Sequence, residues 1–280
     1  MREEADWLRA ARAALPGRAP LLWGVDYEVA ADRYLIRQLK RRRLPAAAAR
    51  ALLALDLASS KSWERYNQTH NPQFIYSFSG DPRLVRTLRT AWPRADADSM
   101  LILETLERTL EINALWVAQK GYESNLLRAQ LLRANLLRYW RSRRHIDPSS
   151  RLFMKMGASH LIRGLNISDV FDLGTLVPEL VAEDGGEAFH LMVLPGPDTK
   201  TANFDPTTFR YVPGNRNEYG EGMDIFDELV FPGKFTVFDT APLRAIASSG
   251  AKEIPLPLWR VIHGVDAVLV MTGSNPSSNL

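Results

Sequence analysis

Residues 157–160 read Gly-Ala-Ser-His and follow the apolar run 152–156, so His160 stands where a buried strand would end. Strand ends are where sheets place chemistry, because side chains leaving that edge point into a crevice no helix covers. A histidine there can exchange a proton near neutral pH or bind a metal. Asp26 and Glu28 hold the matching place earlier in the chain, where Trp23-Gly-Val-Asp26-Tyr-Glu28 closes the apolar run 21–26. His160 and these two carboxylates are the first candidates for a site.

Three zones must position them. The first, 1–45, reads as a helix over 5–15, a Pro-Gly break, the strand 21–26 and a helix over 30–43 that Pro45 ends. The second, 46–145, is a helical insertion with leucine stripes at helical spacing. Within it, 62–80 gathers Trp63, Tyr66, Asn67, His70 and Tyr76, which suits a mobile lid or substrate loop, or else an ordered connector packed by aromatics. The third, 146–280, alternates short apolar runs (152–156, 189–194, 235–238, 265–271) with helical segments (175–182, 241–248, 256–263). The expectation is therefore one α/β domain over 1–280, with a mainly parallel sheet, flanking helices and a large helical insertion. The Asn-, Gly- and Pro-rich stretch 196–222 reads as a surface excursion.

Composition narrows the function classes. Thirty-five Lys and Arg against 32 Asp and Glu leave +3, too small an excess to imply nucleic acid as a partner. No cysteine means no disulfide, thiolate nucleophile or thiolate-bound zinc. The charged start, Arg2, Glu3, Glu4 and Asp6, is unlike a secretory signal, and no stretch is long enough to span a bilayer, so a cytoplasmic protein with no membrane partner is expected. The basic runs at Lys40–Arg43 and at Arg141, Arg143 and Arg144 read first as solvated helix ends and second as phosphate patches. The Gly-x-Ser-x-Gly elbow, the phosphate loop, His-Glu-x-x-His and a dinucleotide glycine fingerprint are all missing, which disfavours the enzymes that need them.

A set of short motifs, taken in order, resembles the erythromycin esterase-like proteins and the wider group that includes TraB, Tiki and ChaN. Arg128-Ala-Gln-Leu-Leu132-Arg-Ala-Asn135, followed by 152–156 and Gly157-Ala-Ser-His160, is similar to that group's Arg/Asn helix and histidine strand. Trp23-Gly-Val-Asp26 resembles its Gly-x-Asp strand, and Val265-Asp-Ala-Val-Leu-Val its final strand. The chain carries no counterpart of the group's first Gly-Glu-x-x-His motif, so the expectation is either an N-terminally truncated form or a genuine loss of that motif.

The resemblance implies a hydrolase in which water attacks an ester. His160 would act as base or oxyanion donor, Arg163 would hold the anion, and Asp26 or Glu28 would orient the imidazole. The partner would be a small-molecule ester, and no cofactor is needed. Two alternatives go with it: a metal-dependent Tiki-like hydrolase, with His160, Asp26 and Glu28 on a divalent ion, or a non-catalytic ligand- or haem-binding module. Arg128 and Asn135 lie two helical turns apart and share a face. Arg128 would bind a substrate anion or pin the helix through a carboxylate such as Asp172, and His70 and Tyr66 of the 62–80 segment complete the substrate-binding set.

Overall fold

The computed structural model describes residues 1–17, 22–147, 149–216, 220–250 and 253–279. Its helices are α1 (Arg2–Ala14), α2 (Asp32–Lys40), α3 (Ala46–Thr69), α4 (Tyr76–Ser79), α5 (Pro82–Ala91), α6 (Ala97–Val117), α7 (Gly121–Ile146), α8 (Ala158–Leu161), α9 (Leu173–Glu183), α10 (Ile225–Glu228), α11 (Ala241–Ser248) and α12 (Leu256–Gly264). Its strands are β1 (Leu191–Pro195), β2 (Lys200–Asp205), β3 (Arg210–Asn215), β4 (Phe235–Asp239) and β5 (Ala267–Met271). The chain divides into a helical unit, Val25–Asn135, and a mixed unit made of Met1–Gly24 and Leu136–Leu280.

The helical unit follows directly from residue spacing. In α3 the buried positions are Ala48, Leu52, Leu55, Ser59 and Tyr66, the three- and four-residue steps of one helix face. Of these, Ala48, Leu52 and Leu55 meet Ile36 and Leu39 of α2, Val85 and Leu88 of α5, and Leu103 and Leu106 of α6 in one core. Local signals set the boundaries. Asp81 caps α5 by accepting the Arg83 N–H, with Pro82 in the first turn, and Asp96 caps α6 by accepting the Ser99 N–H.

In the mixed unit, three strands run in the order β1-β5-β4. β1 and β5 are parallel, with Leu191 opposite Ala267, and β4 and β5 are antiparallel, with Phe235 opposite Met271. One face packs Met192, Leu194, Val268 and Val270 against Val261 and Ile262 of α12. The stretch read as a surface excursion forms the β2–β3 hairpin, an antiparallel pair separate from the sheet.

The expected mainly parallel α/β sheet is thus corrected: the structure is predominantly helical, with a small mixed sheet and a separate antiparallel hairpin. Two of the expected strands account for the difference. Residues 22–25 form no strand, and 18–21 lie outside the described residues; 152–156 is irregular, with Phe153 75% exposed against Trp7. An apolar run becomes a strand only when another backbone completes its ladder, and that partner is not encoded locally.

Candidate active site around His160

His160 lies on the single turn α8, where its backbone N–H donates to the Gly157 carbonyl at 3.0 Å. Ring Nδ1 is 2.6 Å from Asp172 Oδ2. Asp172 is buried, and its Oδ1 caps α9 by accepting the Leu173 N–H at 2.7 Å. A carboxylate only accepts, so in the neutral ring Nδ1 carries the proton and Nε2 presents a lone pair. Among the described residues nothing hydrogen-bonds Nε2.

The surrounding backbone holds this pair from two sides. Gly174, in the first turn of α9, packs so close that a Cβ there would stand 2.3 Å from the Ile162 carbonyl oxygen. Only glycine lets α9, and with it Asp172, approach the histidine segment this closely. From the other side the Arg163 N–H donates to the Gly264 carbonyl at the end of α12, at 3.0 Å. Thr175 Oγ1 accepts the Gly164 N–H at 3.0 Å, and the loop between is shaped by buried Asn166, whose Oδ1 accepts the Ser168 N–H at 2.8 Å.

Arg163 spends its guanidinium on Asp266. Nη1 donates to Oδ1 at 2.9 Å, Nη2 donates to Oδ2, and the same carboxylate accepts the His190 N–H at 2.7 Å. Burial works against ionising Asp266, but the hydrogen bonds from Arg163 and His190 hold its carboxyl below the usual range. His190 is buried and pairs Nδ1 with the Leu161 carbonyl at 2.7 Å. Burial pushes its pKa down, so the neutral ring is a strut beneath the segment that bears His160.

Asp26 and Glu28 belong to the helical unit and have partners there. Arg128 grips Asp26 with two hydrogen bonds, Nε to Oδ1 at 2.9 Å and Nη2 to Oδ2 at 2.5 Å, while Asn135 Nδ2 donates to the Val25 carbonyl at 2.8 Å. The shared face of Arg128 and Asn135 therefore pins the 25–28 segment to α7, with Asp26 rather than Asp172 as the carboxylate. Glu28 Oε2 accepts the Ala31 N–H at 2.6 Å, and Oε1 accepts the Ser77 hydroxyl at 3.0 Å. Burial, reinforced by the charge of Asp32, raises the Glu28 pKa to about 7 against these bonds. Asp32 is itself buried and accepts from Trp63 Nε1 at 3.1 Å and from the Ser59 hydroxyl.

The 62–80 segment is mostly helical. Its first residues complete α3, and a 3-10 turn at Pro72–Phe74 leads into α4. Tyr66 is buried with its ring edge-on to Trp63 and His70, and His70 ends α3 in the left-handed region (φ 51°). Sequence reasoning missed Asp172 as the partner of His160, although Asp172 directly before Leu-Gly-Thr is a helix-start signal.

The chain matches no protein-family model, no curated protein and no solved structure. Among the described residues no three His, Asp or Glu side chains gather to hold a metal ion, and no helix is long and apolar enough to cross a membrane.

Proposed function

We propose that this protein is a hydrolase of small esters, in which His160 is the general base and Asp172 orients it. The observation that carries the reading is the 2.6 Å contact between His160 Nδ1 and the buried Asp172 carboxylate. That contact fixes one tautomer and leaves Nε2 to take a proton from water as the water attacks the ester carbonyl. Asp172 therefore takes the orienting role that the resemblance gave to Asp26 or Glu28, and Arg163 is a positioning residue that ties the 160–164 segment to Asp266. The absence of any three-ligand cluster among the described residues favours this reading over the metal-dependent alternative.

The test is hydrolysis of 4-nitrophenyl acetate and longer acyl esters by the purified chain, with and without chelator. His160→Ala is expected to lower kcat/KM by about 10²–10⁴-fold, the usual contribution of a positioned base. Asp172→Asn, checked for fold by circular dichroism, is expected to lower kcat with little change in KM. Turnover unaltered in His160→Ala sinks the proposal, and turnover abolished by chelator transfers it to the metal-dependent reading. No turnover at all leaves the ligand-binding module as the better account.

A further inference from the structure

The solvent side of α3 is patterned as regularly as its buried side. Opposite the core positions Ala48, Leu52, Leu55 and Ser59, the residues Ala46, Arg50, Leu53, Leu57, Lys61 and Glu64 recur at three- and four-residue steps, and all six are exposed. Leu53 and Leu57 stand one turn apart on this stripe, 57% and 53% exposed. A helix that packs on one side ordinarily carries polar residues on the other, yet the middle of this other side is apolar.

The charges flanking the two leucines have opposite signs and are unspent. Among the described residues Arg50 and Glu64 make no ion pair, whereas the charges around them are engaged: Asp56 with Arg33 and Lys40, and Arg65 over the Phe74 ring. About four helical turns, roughly 21 Å, separate Arg50 from Glu64. That order decides how a second copy of the same helix fits. Laid parallel, it would set Arg50 against Arg50 and Glu64 against Glu64. Laid antiparallel about a twofold axis at the level of Leu55, it brings Leu53 of each copy to Leu57 of the other. Arg50 of each copy then lies within one turn of Glu64 of the other, so both charges are matched twice by one symmetry operation, as an isologous contact requires. Lys61 shares the stripe, and its stem can lie along the leucines while the ammonium turns to water.

We propose that α3 is a homodimer contact, in which two copies of this chain pair antiparallel through Leu53 and Leu57 with Arg50 of each facing Glu64 of the other. Its size sets its strength. The stripe is about 36 Å long and roughly 10 Å wide, on the order of 350 Å² per copy, well below the area of a standard interface. A reversible dimer with a Kd of roughly 10–500 μM is therefore expected rather than a permanent one. The contact uses no residue of the His160 site.

Sedimentation velocity of the full chain over that concentration range, at low ionic strength because the charge pairs are open to salt, tests it. The weight-average sedimentation coefficient should rise with concentration towards that of a dimer. Arg50→Glu and Glu64→Arg each place like charges together at both pairs and should weaken association about tenfold. Arg50→Glu/Glu64→Arg restores both pairs with their signs reversed, and an equimolar mixture of the two single variants restores them between unlike copies. Both should associate like the native chain, which also shows that the single variants are folded. Val237→Lys, on β4 and away from α3, should leave association unchanged. A chain that stays monomeric, association that survives either single reversal, failure of rescue in the double variant or the mixture, or association lost in Val237→Lys would each overturn the proposal.

Discussion

A half-buried carboxylate with no cation beside it holds its proton more tightly than it would in water, and Glu28 is in that position. Its hydrogen bonds come from neutral donors, the Ala31 N–H and the Ser77 hydroxyl, and Asp32 adds a like charge. With its pKa raised from 4.5 to about 7, the folded chain binds this proton more tightly than the unfolded one. The contribution of Glu28 to stability is therefore fully present below pH 4.5, falls as pH rises towards 7 and is lost above it. At 1.36 kcal/mol per pKa unit the loss is on the order of 3 kcal/mol. Glu28→Gln should raise the urea midpoint at pH 8 and leave it nearly unchanged at pH 4.5; an equal effect at both would show that ionisation is not the cause. The sequence marks Glu28 and His160 as residues able to do chemistry but not their partners. Ser77 lies 49 residues from Glu28, and Asp172 comes 12 after His160 through a loop whose path depends on tertiary packing.

The first turn of α9 decides whether Asp172 reaches His160. Gly174→Ala would set a methyl group against the Ile162 carbonyl, and because backbone must then move, a cost of about 1–3 kcal/mol is expected, as for other overpacked positions. Thermal unfolding should show it as a lowered Tm, and ester turnover should fall with it if the His160–Asp172 contact is disturbed; an unchanged Tm would mean that α9 shifts freely. The elements around this contact were legible to different degrees. α11 and α12 match the helical spacing read from the sequence, and β1, β4 and β5 match three of the apolar runs. α3 extends to Thr69, through the start of the 62–80 segment, because Ser59 and Tyr66 continue its buried face. The run 152–156 carries strand-like residues too, but a strand is completed only by a distant partner, whereas a helix closes its hydrogen bonds within itself.

The chain as a whole builds two separate cores, and the sheet of the mixed unit covers only one of its faces. A parallel sheet with helices on both sides would bury both faces. Here the second face carries Leu191 and Val193 on β1 and Phe235 and Val237 on β4, all between 44% and 64% exposed, with Val193, Leu269 and Val237 aligned across the three strands. Three strands of five residues give a footprint of roughly 14 by 17 Å, a contiguous apolar surface of about 240 Å², within the range an ordinary monomer exposes. Composition could not reveal it, because 46% apolar residues fill two cores and still leave this face outside. The native chain should therefore bind the dye 8-anilinonaphthalene-1-sulfonate below its unfolding transition. Val193→Lys and Val237→Lys each place a charge on the solvent side of the sheet while the residues on the α12 side stay packed. Either should cut the dye signal by about half with a Tm change under about 2 °C, as expected for an exposed site. A dye signal indifferent to both substitutions would place the apolar surface elsewhere, and a large fall in Tm would show that these valines already support packing.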